Sequence, residues 1–202
     1  MISTSEDDKS SSMRLFVAVP LPDEIKQELK KWINNLQQLP QFTFRKWVHP
    51  EDLHITLQFL GDTPRERIPH IIEQLRASVT AITPFQICIK SLGTFGRPSF
   101  PSVLWGSIDG EIEQLRGLQQ QVISQLSPLG FPPEERPYSP HLTLARKYNR
   151  EEPFDSSALS LHKAPYPTEH QPLQWQSSSM VLYATHMHRQ PMYEAISVIS
   201  FK

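Results

Sequence analysis

The sequence predicts an α+β protein built as two similar lobes facing each other, and three observations lead there. Strand-like and helix-like segments succeed one another as β-α-β-α-β-β-α-β-β-β, which lacks the regular alternation of a doubly wound fold. A tetrapeptide of the form H-[IL]-T-L occurs twice, in "EDLHITLQF" and "SPHLTLARK", 87 residues apart and each time four residues after a proline, Pro50 or Pro137. The chain of 202 residues fits one domain, or two small lobes sharing a core.

The opening stretch "MISTSEDDKSSS" is acidic and Ser-rich with no apolar run, so a disordered tail is expected over 1–12, with one folded domain over 13–202. Leu15 to Val19 ("LFVAV") is a short Val-rich run ended by Pro20 and reads as a buried strand. After Pro22, with Asp23 and Glu24 in the first turn, Ile25, Leu29, Trp32, Ile33 and Leu36 form the stripe of an amphipathic helix that Pro40 stops. A second helix is expected over about 64–82, with Ile68, Ile71, Ile72, Leu75 and Val79 on one face. A third is expected over about 111–126, with Ile112, Leu115, Leu118, Val122 and Ile123. Strand patterns fill 54–59, 85–92, 103–108, 141–145, 180–187 and 195–201. Between Asn149 and Gln174 the chain is rich in Pro, His and Ser and has no clear period, so a long loop is expected there.

Twenty basic against twenty-one acidic residues leave a formal charge of −1, which argues against affinity built on blanketing the phosphates of a long duplex. A short or terminal nucleic-acid ligand stays open. One cysteine, Cys88, excludes an internal disulfide framework and suits a reducing compartment; its apolar surroundings suggest a small buried hydrophobe rather than a reactive thiol. No run of about eighteen apolar residues occurs, so no transmembrane helix is expected, and the reading is of a cytoplasmic protein without a membrane partner.

The duplicated tetrapeptide carries the chemistry. Successive side chains on a strand point to opposite faces, so His54 and Thr56 share one face and Ile55 and Leu57 the other; His141 and Thr143 are likewise set against Leu142 and Leu144. Burying the apolar sets under helices leaves two imidazoles and two hydroxyls lining a cleft between lobes. Two histidines with ordinary pKa values near about 6.5 can divide into general acid and general base at neutral pH, and two threonine hydroxyls can donate to non-bridging phosphoryl oxygens. In-line attack on phosphorus needs a base and an acid on opposite sides, which a pseudo-twofold pair supplies. No acidic or cysteine cluster with metal spacing accompanies the set, so neither metal nor other cofactor is expected.

These residues, with "MRLFVAVPLP", "HITLQFLG" and "RPYSPHLTLARK", resemble the two-histidine phosphoesterase superfamily and, within it, the LigT-like RNA 2',3'-cyclic phosphodiesterases, once described as 2',5' RNA ligases. The resemblance runs from about Met13 to the C-terminal strand. It implies a bilobal LigT-like fold of antiparallel sheet with helices packed outside. It also implies hydrolysis of a 2',3'-cyclic phosphate on an RNA end or nucleotide to the 2'-phosphomonoester; separately, a monomer is expected. His54 matches the histidine expected to protonate the 3' oxygen and His141 the one expected to activate water, although a pseudo-symmetric site can run either way. Thr56 and Thr143 match the phosphate-binding threonines. Phe59 and Arg146 match an aromatic and an arginine that sandwich the nucleobase, yet each lies five residues after its histidine. That odd offset points to the opposite face unless the strand ends or bulges first.

Two rival readings stay open from sequence: 2',5'-phosphodiester hydrolysis or reversible ligation in the same site, and a non-catalytic RNA-end-binding protein. Among lesser candidates, His186 and His188 have metal-like spacing but no third ligand nearby in sequence. Tyr138 and Ser139 could touch substrate, Arg97 is expected to be a solvated loop residue, and Trp105 and Trp175 are expected to pack in the core or between lobes.

Overall fold

The computed structural model describes residues 12–162 and 172–202, and the expected tail over 1–11 lies outside them. Among the described residues nine strands form a single sheet: β1 (Ser12–Pro20), β2 (Phe44–Trp47), β3 (His54–Pro64), β4 (Phe85–Arg97), β5 (Phe100–Gly110), β6 (His141–Tyr148), β7 (Gln174–Ser177), β8 (Ser179–Thr185) and β9 (Tyr193–Ser200). The order is β7-β4-β5-β6-β3-β1-β8-β9, with β2 beside β6, and every pairing is antiparallel. Read outward from the middle, β3-β1-β8-β9 repeats β6-β5-β4-β7. The two lobes therefore meet where β3 touches β6, through the pair Ile55 and Leu142.

Three helices follow the apolar stripes. In α1 (Asp23–Gln37), Ile25, Leu29, Trp32, Ile33 and Leu36 are buried, and Asp23 and Glu24 sit favourably against the positive N-terminal end of the helix dipole. The second, α2 (Ile68–Ser78), is shorter than the expected 64–82 because Arg65–Arg67 form a 3-10 turn and Pro69 opens the helix proper. In α3 (Ile112–Leu126), Leu115, Leu118, Val122 and Leu126 face α2 and the sheet, and Gly130 at φ 82 takes the left-handed turn out of the following 3-10 segment. One apolar core joins these helices to Ile55, Leu57, Leu142 and Leu144.

Several expectations need correction. Ser12 already pairs with Pro64, so the first strand begins inside the expected tail. The expected loop at 149–173 contains a short helix, α4 (Ser157–Leu161), which packs on β4 through buried Ala158, while 163–171 lie outside the described residues. Cys88 is half-buried rather than buried: it points away from the face that buries Ile87 and Ile89, and burial and the Asp109 charge push its thiol pKa up. It is accordingly a poor nucleophile. Among the described residues, no helix is long and apolar enough to cross a membrane.

Candidate functional site

Because Ile55 and Leu142 oppose each other, the antiparallel register puts His54 across from Thr143 and Thr56 across from His141 on the face away from the helices. Burial agrees with this division. Ile55, Leu57, Leu142 and Leu144 are buried, while both histidines and both threonines are half-exposed. The structure thus brings together all four side chains that the repeated motif singled out.

The same irregularity follows each motif. On β1, Ala18 pairs with Thr56 but the next residue, Val17, pairs with Gln58, leaving Leu57 as an extra residue in β3. On β5, Trp105 pairs with Thr143 and Leu104 with Ala145, leaving Leu144 extra in β6. A bulge at this place puts two successive side chains on the core side, Leu57 with Gln58 and Leu144 with Ala145, and returns the next one to the site face. Phe59 and Arg146 are both exposed, as that geometry requires. The odd offset is thereby resolved: both residues stand on the His/Thr face, at opposite ends of the crossing, each three partner positions beyond it. Buried Gln58 instead donates to the carbonyls of Phe131 and Pro132 in the segment that leads from α3 to β6.

Each imidazole is held in the same way. His54 Nδ1 donates to the Asp52 carbonyl at 2.7 Å and His141 Nδ1 to the Ser139 carbonyl at 2.7 Å, both two residues upstream, in the 3-10 turn that Pro50 opens and in the extended segment that follows Pro137. A carbonyl only accepts, so Nδ1 carries the hydrogen and Nε2 is left to exchange a proton with a ligand. Among the described residues neither Nε2 atom nor either threonine hydroxyl has a protein partner.

Sequence reasoning missed the walls of the site. Phe16, Tyr193 and Tyr183 surround the His54 ring at 4.8, 5.0 and 6.1 Å between centroids, and Phe95 and Trp105 flank His141 at 4.9 and 6.2 Å. Trp105 lies over Gly93, where an added Cβ would meet its ring at 2.4 Å, so only glycine allows this approach. Burial in these aromatic walls drives the His54 pKa down to about 4. The Asp52 carbonyl and carboxylate oppose the shift, and the charges of Arg146 and His141 add to it. Burial lowers His141 too, with the Ser139 carbonyl opposing and Arg146 assisting. Arg146 therefore lies within electrostatic reach of both rings.

Asp52 was also missed. Its carboxylate is buried and accepts from the backbone N–H groups of Met192 (2.9 and 3.0 Å) and Tyr193 (3.1 Å), tying the start of β9, and with it the Tyr193 ring, to the turn before His54. Tyr138 spends its hydroxyl on the Thr56 carbonyl at 3.1 Å and so links the lobes rather than facing a ligand. His186 Nε2 bonds Glu194 at 2.6 Å, away from the motif residues, and Arg97 is exposed at the end of β4. Trp175 is core, and Trp105 is a site wall rather than core.

A family model described as LigT like Phosphoesterase matches residues 19–105 and again 107–193, one motif in each block. The RNA 2',3'-cyclic phosphodiesterase of Geobacillus stearothermophilus is 36% identical over 182 residues, 90% of this chain, and the chain spans 55% of that protein's length. The protein of the same name from Bacillus subtilis (strain 168) is 33% identical over 183 residues, covering 90% of this chain and 92% of the relative. Among solved structures, TT0787 of Thermus thermophilus superposes with a TM-score of 0.73 at 24% identity, covering 94% of this chain and 98% of the other. E. coli LigT complexed with 3'-AMP gives 0.72 at 22%, covering 95% and 99%. At such identities the two structures establish a common fold.

Proposed function

Because the chain belongs to the LigT-like phosphoesterase family, we propose that it is an RNA 2',3'-cyclic phosphodiesterase. Its substrate is a 2',3'-cyclic phosphate on an RNA end or a nucleotide, and its product the 2'-phosphomonoester. The observation that carries the reading is the crossing at Ile55 and Leu142, which sets two identically held imidazoles and two free threonine hydroxyls around one point.

In this mechanism Thr56 and Thr143 donate to the two non-bridging oxygens and hold phosphorus between the lobes. His141 Nε2 takes a proton from water as its oxygen attacks phosphorus, and the bond from phosphorus to the 3' oxygen breaks. His54, protonated at Nε2, gives its proton to that departing oxygen. Burial holds the His54 pKa well below its ordinary value, so the donor role needs the anionic substrate to raise it on binding. Phe59 and Arg146 approach the nucleoside from the two ends of the crossing, stacking on bases without reading them. Proton transfer and hydrogen bonding supply every step, so the reaction is proposed to need no metal.

One chain supplies both histidines and both threonines, which supports action as a monomer formed by a single domain that starts with the strand at Ser12. The single cysteine supports a cytoplasmic, reducing setting. Incubation with 2',3'-cyclic AMP, followed by identification of the product, tests the reading; tight binding with no turnover would mark a binding protein instead.

A further inference from the structure

The catalytic residues account for one phosphate, but the basic surface continues past them. β2 pairs with the second half of β6 through Phe44 with Tyr148, Lys46 with Arg146, and Trp47 with Ala145. Residues directly opposite on antiparallel strands point to the same face, so Lys46 stands beside Arg146 on the site face, and both are exposed. Arg45 and Lys147 adjoin them, and neither strand contains a carboxylate.

This arrangement is unusual within the molecule. Like charges set directly across a ladder repel, and such pairs are ordinarily avoided or neutralised. Some cations elsewhere are neutralised, Lys26 between Asp23 and Glu51 and Lys90 by Asp109, but what sets Lys46 and Arg146 apart is that they are placed directly across a ladder. None of the ion pairs among the described residues uses Arg45, Lys46, Arg146 or Lys147. A chain with a net charge of −1 thus sets two uncompensated cations, Lys46 and Arg146, side by side at the end of its site.

We propose that Lys46, beside Arg146, binds the first internucleotide phosphate upstream of the cyclic end, so that the protein favours an oligonucleotide over a cyclic mononucleotide. The inference rests on the proposed activity. A cyclic mononucleotide carries one phosphate, which the His/Thr set takes. The next negative charge of an RNA strand lies one nucleotide away and needs a cation just beyond the base platform, where Lys46 stands. Lysine is suited to this as a flexible point charge that meets a phosphate oxygen without fixed geometry.

The test compares Lys46→Gln with the unmodified protein on 2',3'-cyclic AMP and on a short single-stranded RNA ending in a 2',3'-cyclic phosphate. The expected result is a several-fold rise in KM for the RNA with kcat unchanged and no change on 2',3'-cyclic AMP. The slope of log kcat/KM for the RNA against log salt should also flatten by about 0.7, the share of one phosphate contact on a single strand. An RNA KM that stays the same, or an equal loss on both substrates, would overturn the inference. If the unmodified protein hydrolysed neither substrate, the underlying activity would be at fault instead.

Discussion

Ile55 on β3 faces Leu142 on β6, and this one backbone pair sets the relation between the two halves of the site. Each is the residue between the histidine and threonine of its own motif, so a pseudo-twofold axis through the pair exchanges His54 with His141 and Thr56 with Thr143. Both side chains are fully buried in the common core. Replacing Leu142 with Ala should cost about 2–5 kcal/mol of stability. Because the axis also sets the spacing of the imidazoles, kcat should fall alongside, and thermal unfolding measured beside turnover checks both.

His54→Ala and His141→Ala should each lower kcat/KM on 2',3'-cyclic AMP by about 100- to 10,000-fold while leaving the fold intact, which a folded-state spectrum recorded beside the kinetics checks. The double variant should be scarcely worse than either single one, because an acid and a base acting in one step fail together. Excess chelator should leave the unmodified protein's rate unchanged.

Phe59→Ala should raise KM by about 5- to 150-fold, the loss of one stacked base at about 1–3 kcal/mol, and by a similar factor for each base. The ring is 59% exposed, so stability should hardly move. A melting curve beside the kinetics separates the stacking role from a packing role.

How much of this was legible in the sequence differs between residues. The motif strands and the three long helices announced themselves through periodicity and through repetition in matching contexts. The four-residue strands β2 and β7 did not, because "FRKW" and "QWQS" are too short to establish alternation and exist through their partners. The bulge left only an indirect trace, an odd offset at Phe59 and Arg146, since periodicity counts residues and a bulge changes how many of them face one partner. Asp52 and Tyr193 were invisible for a stronger reason: 141 residues separate the carboxylate from the N–H it accepts from.

Asp52→Ala should cost about 1–3 kcal/mol, leaving the N–H groups of Met192 and Tyr193 unpaired beside the His54 ring. Turnover should fall with it as the Tyr193 wall loosens. Asp52→Asn keeps an acceptor oxygen and should recover part of both losses. Comparing the two variants in denaturant melts and in kcat tests the positioning role.

Acid should act on stability through His54. Between its ordinary value of 6.5 and about 4 the unfolded chain takes a proton that the folded protein resists, so stability is full above 6.5, falls as pH drops through this window and levels off below it. The contribution is at most about 3 kcal/mol, and less for a ring still reached by water. Denaturant melts of His54→Gln across the same range should show a shallower decline. In kinetics both limbs of kcat/KM should lie below 6.5, and those of kcat should move upward as the bound phosphate charge favours the imidazolium.

The most direct test of the central claim is the product formed from 2',3'-cyclic AMP. Hydrolysis with His54 on the 3' oxygen yields 2'-AMP, and this product should disappear in both histidine variants. Formation of 3'-AMP would contradict the placement of His54 on the 3' oxygen, and undiminished 2'-AMP from either variant would contradict the acid and base roles of the two histidines.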